Sequence, residues 1–182
     1  MIKVMIVNVV ATASLKQKVD LPKIGKLPNV LYDPDLYGGR VAYIKSPTTK
    51  GKVTVFNSGK MISVGTTREE EATNDLQQVE DMLAEAGLIQ PTSLEVTIQN
   101  IVATADFNIP IDIEKAVEKL HGIYEPEQFP GAIIKIHEPY KATILLFASG
   151  KAVIAGTKSL SQISSIVKML SISLSLKQIA QK

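Results

Sequence analysis

The chain of 182 residues contains no cysteine and no tryptophan, and it has only two histidines. The lack of cysteine excludes a disulfide framework and thiolate metal sites, and it is typical of a cytoplasmic or nuclear protein. His121 and His137 each lack a second histidine at ligand spacing and an HExxH-type neighbour. No glycine-rich phosphate loop follows a predicted strand. We therefore expect neither an enzyme nor a bound metal or cofactor.

Neither sign of charge predominates, because 20 basic side chains face 18 acidic ones. The net charge of +2 is too small to indicate polyanion binding by itself, and no apolar stretch is long enough to span a membrane. Residues 4–10, followed by Ala11-Thr12-Ala13, look like a short signal peptide. However, Asn8 interrupts the apolar run, and nearly the same string recurs far downstream. We expect a protein that is neither secreted nor inserted in a membrane.

What the chain does contain is an internal repeat. Residues 8–13 (NVVATA) return as 100–105 (NIVATA), and residues 32–39 return as 124–131, both 92 positions later. Residues 56–60 (FNSGK) return as 147–151 (FASGK), now 91 positions later. The lost residue is expected between Pro47 and Phe56, at a hairpin tip. The sequence thus predicts two repeats, residues 1–90 and 91–182.

Both repeats predict the same order of elements. Each begins with a β-rich run (2–13 and 94–105), then a short helix (21–27 and 113–120), then three strands (40–46, 52–57 and 60–65; 131–138, 142–147 and 151–156). A long helix closes each repeat, with an apolar stripe of Ala72, Leu76, Val79, Leu83 and Ala86 in the first, and Ile163, Ile166, Val167, Leu170 and Leu174 in the second. Thr67 and Glu70 predict a capping box, and Gly87 a helix end. Residues 172–176 also alternate like a strand.

The predicted strands are apolar on both faces, which is unusual for an antiparallel sheet with one face in water. Two long helices can cover one face of such an α+β fold. The other face would then expose more apolar surface than soluble monomers usually do. A second copy of the chain, extra loops or a ligand are the alternatives for covering it.

The repeated blocks resemble the core domain of the TATA-binding protein family, especially its archaeal form. The resemblance rests on Asn-(Val/Ile)-Val-Ala-Thr, on Tyr-(Asp/Glu)-Pro-(Asp/Glu)-x-(Tyr/Phe)-x-Gly and on Phe-x-Ser-Gly-Lys, each present twice and in order. It implies a saddle of two pseudo-symmetric repeats that form one curved antiparallel sheet, with two long helices on the convex face. It also implies a general transcription initiation factor that binds and bends A·T-rich (TATA-box) promoter DNA through the minor groove. Such a factor recruits transcription factor B and, through it, RNA polymerase.

The resemblance also implies DNA-contacting residues, since minor-groove kinking by apolar wedges is the established mechanism of this family. The alternatives are core roles for Phe56 and Phe147 at strand ends, and backbone hydrogen bonding at a strand bulge for the asparagines. The implied wedges are Tyr37, Phe56, Phe129 and Phe147, and the implied base contacts are Asn8 and Asn100 with an apolar floor of Val10, Val102, Ile62, Val64 and Val153.

Phosphate contacts and a protein-docking edge are implied in the same way. For any single surface lysine, plain solvation is the alternative. Glu125, Glu127 and Gln128, on the loop before Phe129, correspond to the edge that docks transcription factor B, with a solvated turn as the alternative. A homodimer through the concave face in the absence of DNA is left open. The implied phosphate contacts are Lys60, Lys151, Ser58, Ser149, Arg40 and Lys135, with Lys158 as a weaker candidate.

The chain also departs from the family pattern. Threonines common before the glycine after the last strand are replaced by Val64 and Ala155. The loop 32–39 lacks the Phe-Pro-Gly of the loop 124–131. Fewer donors and cations predict weaker DNA binding with a smaller salt dependence. The alternative function is therefore a divergent saddle-fold protein-interaction module with weak or no autonomous DNA binding. Basic residues common in the family are replaced by Tyr43, Thr48 and Tyr140.

Overall fold

The structure is a computed structural model that describes residues 1–174. Its nine strands form one sheet in the order β2-β3-β4-β5-β1-β6-β9-β8-β7, which confirms the α+β class with a large antiparallel sheet. The elements in chain order are β1 (Lys3–Ser14), α1 (Leu21–Ile24), β2 (Val30–Leu31), β3 (Val41–Ile44), β4 (Lys52–Phe56), β5 (Lys60–Thr66), α2 (Glu69–Glu85), β6 (Thr97–Asp106), α3 (Ile113–Leu120), β7 (Gly131–Ile136), β8 (Ala142–Phe147), β9 (Lys151–Thr157) and α4 (Leu160–Ser173).

Two compact units divide the chain. The first half, as we call it, is Asn8–Gln99; the second half is Met1–Val7 together with the described residues from Asn100 to Leu174. The repeat boundary near residue 90 stays a prediction about the sequence, because compact units and sequence repeats need not coincide. No helix within residues 1–174 is long and apolar enough to cross a membrane.

In the first half, a meander of β3, β4 and β5 pairs with β1 on its far side, and all these pairs are antiparallel. Helix α2 packs against β4 and β5. Alternate strand residues such as Val53, Val55 and Met61 are fully buried beneath the helix face that carries Leu76 and Leu83. The remaining strand residues form what we call the open face of this half, opposite the helix.

The second half repeats this arrangement with β7, β8, β9 and β6. Helix α4 packs against β9 and helix α3 against β7. The predicted stripe on α4 is confirmed, because all five of its residues are buried. In the strand-like segment 172–176, Ile172 and Ser173 belong to α4, and Ser175 and Leu176 lie outside the described residues.

The C-terminus of α2 is capped as the sequence predicts, whereas its N-terminus is not. At the C-terminus, Gly87 has φ +69°, and the Leu88 amide donates to the Leu83 carbonyl at 3.0 Å, which ends the helix as expected. The capping box of Thr67 with Glu70 was wrong. Glu71 accepts instead from the amide and hydroxyl of Thr67, at 3.2 and 3.4 Å, because the helix begins only at Glu69.

A buried carboxylate fixes the hairpin tip between β3 and β4. Asp75 on α2, 1% exposed, accepts from the amides of Lys50 and Gly51 at 2.9 and 2.6 Å. The ammonium of Lys45 donates to the carbonyls of the same tip, at 2.7 Å to Lys50 and 2.9 Å to Gly51. These bonds satisfy backbone groups that a turn next to a helix would otherwise leave unpaired.

The strand pairings show that the spacing between the two repeats changes at a different place from the one that the sequence predicts. Leu31 pairs with Tyr43 and Val41 with Phe56, whereas Ile123 pairs with Ile133 and Gly131 with Phe147. The pairings of β3 with both of its neighbouring strands therefore make Tyr43 equivalent to Ile133, and Val41 equivalent to Gly131. The first repeat has two extra residues in the loop before β3, so the expectation of a single slip at the hairpin tip was wrong. We call residues 32–40 the first stirrup and residues 124–130 the second stirrup.

Candidate nucleic-acid interface

The open faces of the two halves carry matching cross-strand rows. In the first half, Thr12, Ile62, Thr54 and Tyr43 lie side by side. In the second half, the corresponding row is Thr104, Val153, Leu145 and Ile133. Each of these side chains is half-buried, and so are the predicted floor residues Val10, Val102, Ile62, Val64 and Val153. Both open faces are thus mainly apolar and accessible.

Asn8 and Asn100 hold equivalent positions at equivalent bulges. The register of β1 shifts between Val9 and Ala11, and that of β6 between Ile101 and Ala103. The Oδ1 atom of Asn8 accepts from the Gly65 amide, and that of Asn100 accepts from the Gly156 amide, both at 2.8 Å. The backbone role that the sequence left open is therefore real. It occupies only the carbonyl oxygen, so each Nδ2 group lacks a partner among residues 1–174.

The second stirrup brings two aromatic rings together. The Phe129 and Phe147 rings meet edge to face, with centroids 5.8 Å apart and planes inclined at 63°. Beneath them lies Gly131, where an added Cβ would come within 2.9 Å of both rings. The amides of Gln128 and Phe129 both donate to the Glu125 carbonyl at 2.9 Å, which fixes the turn. These two predicted wedges therefore form one apolar unit.

The first stirrup is built differently. Tyr37, Gly38 and Gly39 all have positive φ, at 50°, 61° and 67°, and the Tyr37 side chain is 71% exposed. The ring contacts of residues 1–174 include no Tyr37–Phe56 pair, and Phe56 is half-buried at the end of β4. The structure thus leaves the two predicted first-repeat wedges apart.

We give the name tyrosine–lysine cluster to Tyr43 and Lys52, on the open face of the first half, together with Tyr37 of the first stirrup. The ammonium of Lys52 lies 4.5 Å from the centroid of the Tyr43 ring. Partial removal from water raises the pKa of the Tyr43 hydroxyl, and the neighbouring Tyr37 hydroxyl raises it further. The second half has Ile133 and Thr143 where this cluster has Tyr43 and Lys52.

The predicted phosphate contacts are all on the protein surface. Ser58 accepts from the Lys60 amide at 3.4 Å within the tight turn between β4 and β5. Next to Lys151, residues of β6, β8 and β9 with Lys3 and Met5 line a depression of about 540 Å³. Lys151 pairs across the ladder with Asp106, which lowers the local positive charge. The exposed set comprises Arg40, Ser58, Lys60, Lys135, Ser149, Lys151 and Lys158.

The predicted protein-docking edge is also exposed. Glu125, Glu127 and Gln128 are solvent-accessible, and none of them is recorded in an ion pair within residues 1–174. The carboxylates of Glu125 and Glu127 are therefore available to a basic partner.

Sequence reasoning overlooked the glycines that hold the two asparagines. Gly65 and Gly156 have φ of +91° and +89°. Each precedes a buried threonine, Thr66 or Thr157, whose hydroxyl donates to the carbonyl of Val9 or Ile101. The signal was present, because Gly65-Thr66 returns as Gly156-Thr157 at the same spacing of 91 residues.

The chain thus consists of two halves with the same strand order. Each half has an open apolar face with an anchored asparagine, and a long helix covers its other face. These features define a tandem-repeat α+β binding protein. The model of the family "Transcription factor TFIID (or TATA-binding protein, TBP)" matches residues 3–86 and 95–180. The chain therefore belongs to the TATA-binding protein family of transcription factors.

Individual relatives agree with this assignment. The chain is 41% identical over 155 residues to the TATA-box-binding protein of Cenarchaeum symbiosum, which covers 85% of this chain and 84% of the relative. It is 37% identical over 167 residues to that of Sulfolobus acidocaldarius, covering 90% and 82%. Its fold matches the structure of Methanococcus jannaschii TBP with a TM-score of 0.83, at 31% identity and over 95% and 98% of the two chains. The fold implied by the sequence resemblance is thereby confirmed.

Proposed function

We propose that this protein is a transcription initiation factor that binds A·T-rich promoter DNA through the minor groove and bends it. The observation that carries the proposal is the pair of anchored asparagines, Asn8 and Asn100. A·T pairs present only acceptors in the minor groove, whereas G·C pairs add the guanine amine. Because the Gly65 and Gly156 amides hold each Oδ1 atom, the amide of each asparagine offers donors outward.

The apolar surroundings of the asparagines support selection for A·T pairs. Val10 and Val102 flank them along their strands and are half-exposed. They can pack against a groove floor that lacks the guanine amine, but they offer that amine no acceptor. A buried donor without a partner costs about 1–3 kcal/mol, which is enough to disfavour G·C pairs at these positions.

The Phe129–Phe147 pair supplies a means of bending. Flat apolar side chains can enter a base step from the minor groove, at a cost of a few kcal/mol for unstacking. The two rings are already in contact at 5.8 Å, so little side-chain order has to be created on binding. Tyr37 and Phe56 remain predicted contacts of the first half, and Lys60, Lys151, Ser58 and Ser149 remain predicted phosphate contacts.

The proposal is tested by fluorescence energy transfer across a short, end-labelled duplex with a TATA-like site. We expect transfer to rise on titration with the protein, and Phe129→Ala or Phe147→Ala to abolish the rise. Leu160→Ala, which removes an exposed apolar side chain at the start of α4, is the matched control and should change nothing. Unchanged transfer at low salt, with and without transcription factor B, would refute DNA bending.

We propose further that the second stirrup docks transcription factor B, which brings in RNA polymerase. Glu125 and Glu127 are exposed, and such carboxylates steer a basic partner mainly by raising the association rate. Glu125→Gln with Glu127→Gln should slow association with transcription factor B, most strongly at low salt. Asp33→Asn with Asp35→Asn alters the equivalent positions of the first stirrup and provides the control. Equal effects of the two double variants would contradict a dedicated site.

The alternative is a protein-interaction module that uses the same open faces. It is favoured by Val64 and Ala155, which are apolar where the family commonly has a hydroxyl donor. Phe129→Ala distinguishes the two functions, because a module would keep whatever weak duplex affinity it has and lose affinity for its protein partner. Loss of duplex binding would instead support the DNA function.

A further inference from the structure

The two stirrups differ in length, and this difference changes which residue can meet the strand-end phenylalanine. The second stirrup has seven residues, 124–130, and the first has nine, 32–40. Phe129 stands two residues before Gly131, the ladder partner of Phe147. Two residues before Val41, the ladder partner of Phe56, stands Gly39. The first half therefore has no side chain at the position of Phe129.

Tyr37 does not compensate for this loss. It lies four residues before Val41, at the start of a left-handed turn in which it and both following glycines have positive φ. Its hydroxyl lies close enough to that of Tyr43 to affect its ionisation. A ring with this hydroxyl would need a new hydrogen-bond partner inside a base stack, which makes it a poor wedge.

The tyrosine–lysine cluster is suited to contact the phosphates of the DNA backbone, not a base step. Lys52 is exposed and lies 4.5 Å from the Tyr43 ring centroid, so it places a positive charge beside the Tyr43 phenol, whose hydroxyl neighbours that of Tyr37. Lysine and tyrosine side chains are typical phosphate-contacting groups. The equivalent positions in the second half, Ile133 and Thr143, carry neither the charge nor the phenol.

We propose that the two halves grip DNA unequally. The second half inserts the Phe129–Phe147 pair into a base step. The first half inserts no aromatic pair and holds the sugar–phosphate backbone through Tyr37, Tyr43 and Lys52. This inference rests on the proposed function, and it assigns the kink to one end of the bound site.

The test uses duplexes with 2-aminopurine at one or the other end of the TATA-like site, because this base brightens when it is unstacked. Binding is followed separately by anisotropy of a terminal dye. We expect a several-fold rise in emission at one end only, abolished by Phe129→Ala and retained in Tyr37→Ala. Rises at both ends would overturn the inference and leave the proposed function intact. An absence of binding by anisotropy would overturn both.

A shortened stirrup provides the converse experiment. Deleting Gly38 and Gly39, together with Tyr37→Phe, gives a seven-residue first stirrup with a phenylalanine two residues before Val41. Thermal unfolding and circular dichroism check that this variant folds. A folded variant should unstack a second base step, so that 2-aminopurine emission also rises at the end where the wild-type protein causes no rise. A folded variant that binds but leaves that end stacked would contradict stirrup length as the cause.

The backbone contact has its own readout. Lys52→Ala should make the slope of log K against log salt less steep by about one unit, and Lys52→Arg should preserve it. Thr143→Ala changes the equivalent position of the second half and should leave the slope unaltered. An unchanged slope in Lys52→Ala would exclude the phosphate contact.

Discussion

The anchored asparagine is the smallest feature on which the proposed function depends. An asparagine amide on a strand surface can rotate, and either its oxygen or its nitrogen can face a ligand. The bond from the Gly156 amide to Asn100 Oδ1, at 2.8 Å, removes that ambiguity. The same arrangement at Asn8 and Gly65 gives each half one donor group of fixed orientation.

This role predicts a coupling between Asn100 and the adenine N3 atom. In the test, each adenine of the site is replaced in turn by 3-deazaadenine, which lacks the N3 acceptor. At the contacted base, this replacement should weaken wild-type binding two- to tenfold, because one hydrogen bond contributes about 0.5–1.5 kcal/mol. In Asn100→Ala, the same base replacement should have no further effect, and titration calorimetry or anisotropy measures both. Full additivity at every adenine would show that the asparagine only supports the backbone.

At the scale of elements, the periodic segments were the most predictable. Helix α3 spans Ile113–Leu120 as expected, because its apolar spacing and the capping side chain of Asp112 agree. The two-residue strand β2 was not predicted, since so short a segment has no periodicity. The extra residues of the first stirrup were also missed, because Gly39 aligns with Gly131 in sequence and only the ladder register separates them.

The residues of the candidate site could be predicted in kind, but their arrangement could not. The repeat put the two asparagines at matching places, and the family resemblance implied the four aromatic residues and the lysines that follow the hairpin glycines. The Tyr43–Lys52 contact could not be foreseen, because it depends on the pairing of β3 with β4 and not on spacing along the chain. Asp75 was overlooked for the same reason, since its acceptor role joins a helix to a distant turn.

The β8–β9 hairpin shows how tightly a turn residue can be constrained. Gly150 has φ +87°, and a Cβ added there would overlap the carbonyl oxygen of Ile109. Gly150→Ala should therefore cost more than the roughly 1–2 kcal/mol of a left-handed conformation alone. Gly87→Ala is the control, because Gly87 has φ +69° with nothing within 4 Å of the added atom. Urea unfolding of both variants measures the difference, and equal losses would refute the steric explanation.

For the whole molecule, the balance of charge makes the location of each cation important. With a net charge of +2, long-range attraction contributes little, so we expect the affinity for DNA to depend on individual phosphate contacts. Lys60→Ala and Lys151→Ala should each make the slope of log K against log salt less steep by about 0.9. Filter binding or anisotropy across a salt series measures these slopes.

The matched control for these slopes is Lys168→Ala, on the exposed side of α4. Since α4 covers the sheet face opposite the open face, we expect its slope to equal that of the wild type. A slope that changes equally in all three variants would indicate a diffuse electrostatic effect instead of defined contacts.

The membership of Met1–Val7 in the second half has a consequence for synthesis. These residues are synthesised before the first half, yet their partners, such as the Asn108 amide that donates to the Met1 carbonyl, emerge more than a hundred residues later. Asn8–Gln99 can fold as a unit in the meantime, whereas Met1–Val7 still lack the later residues with which they form the second half. The first half can therefore complete its fold during synthesis, whereas the second half has to join an early segment of the chain to a late one.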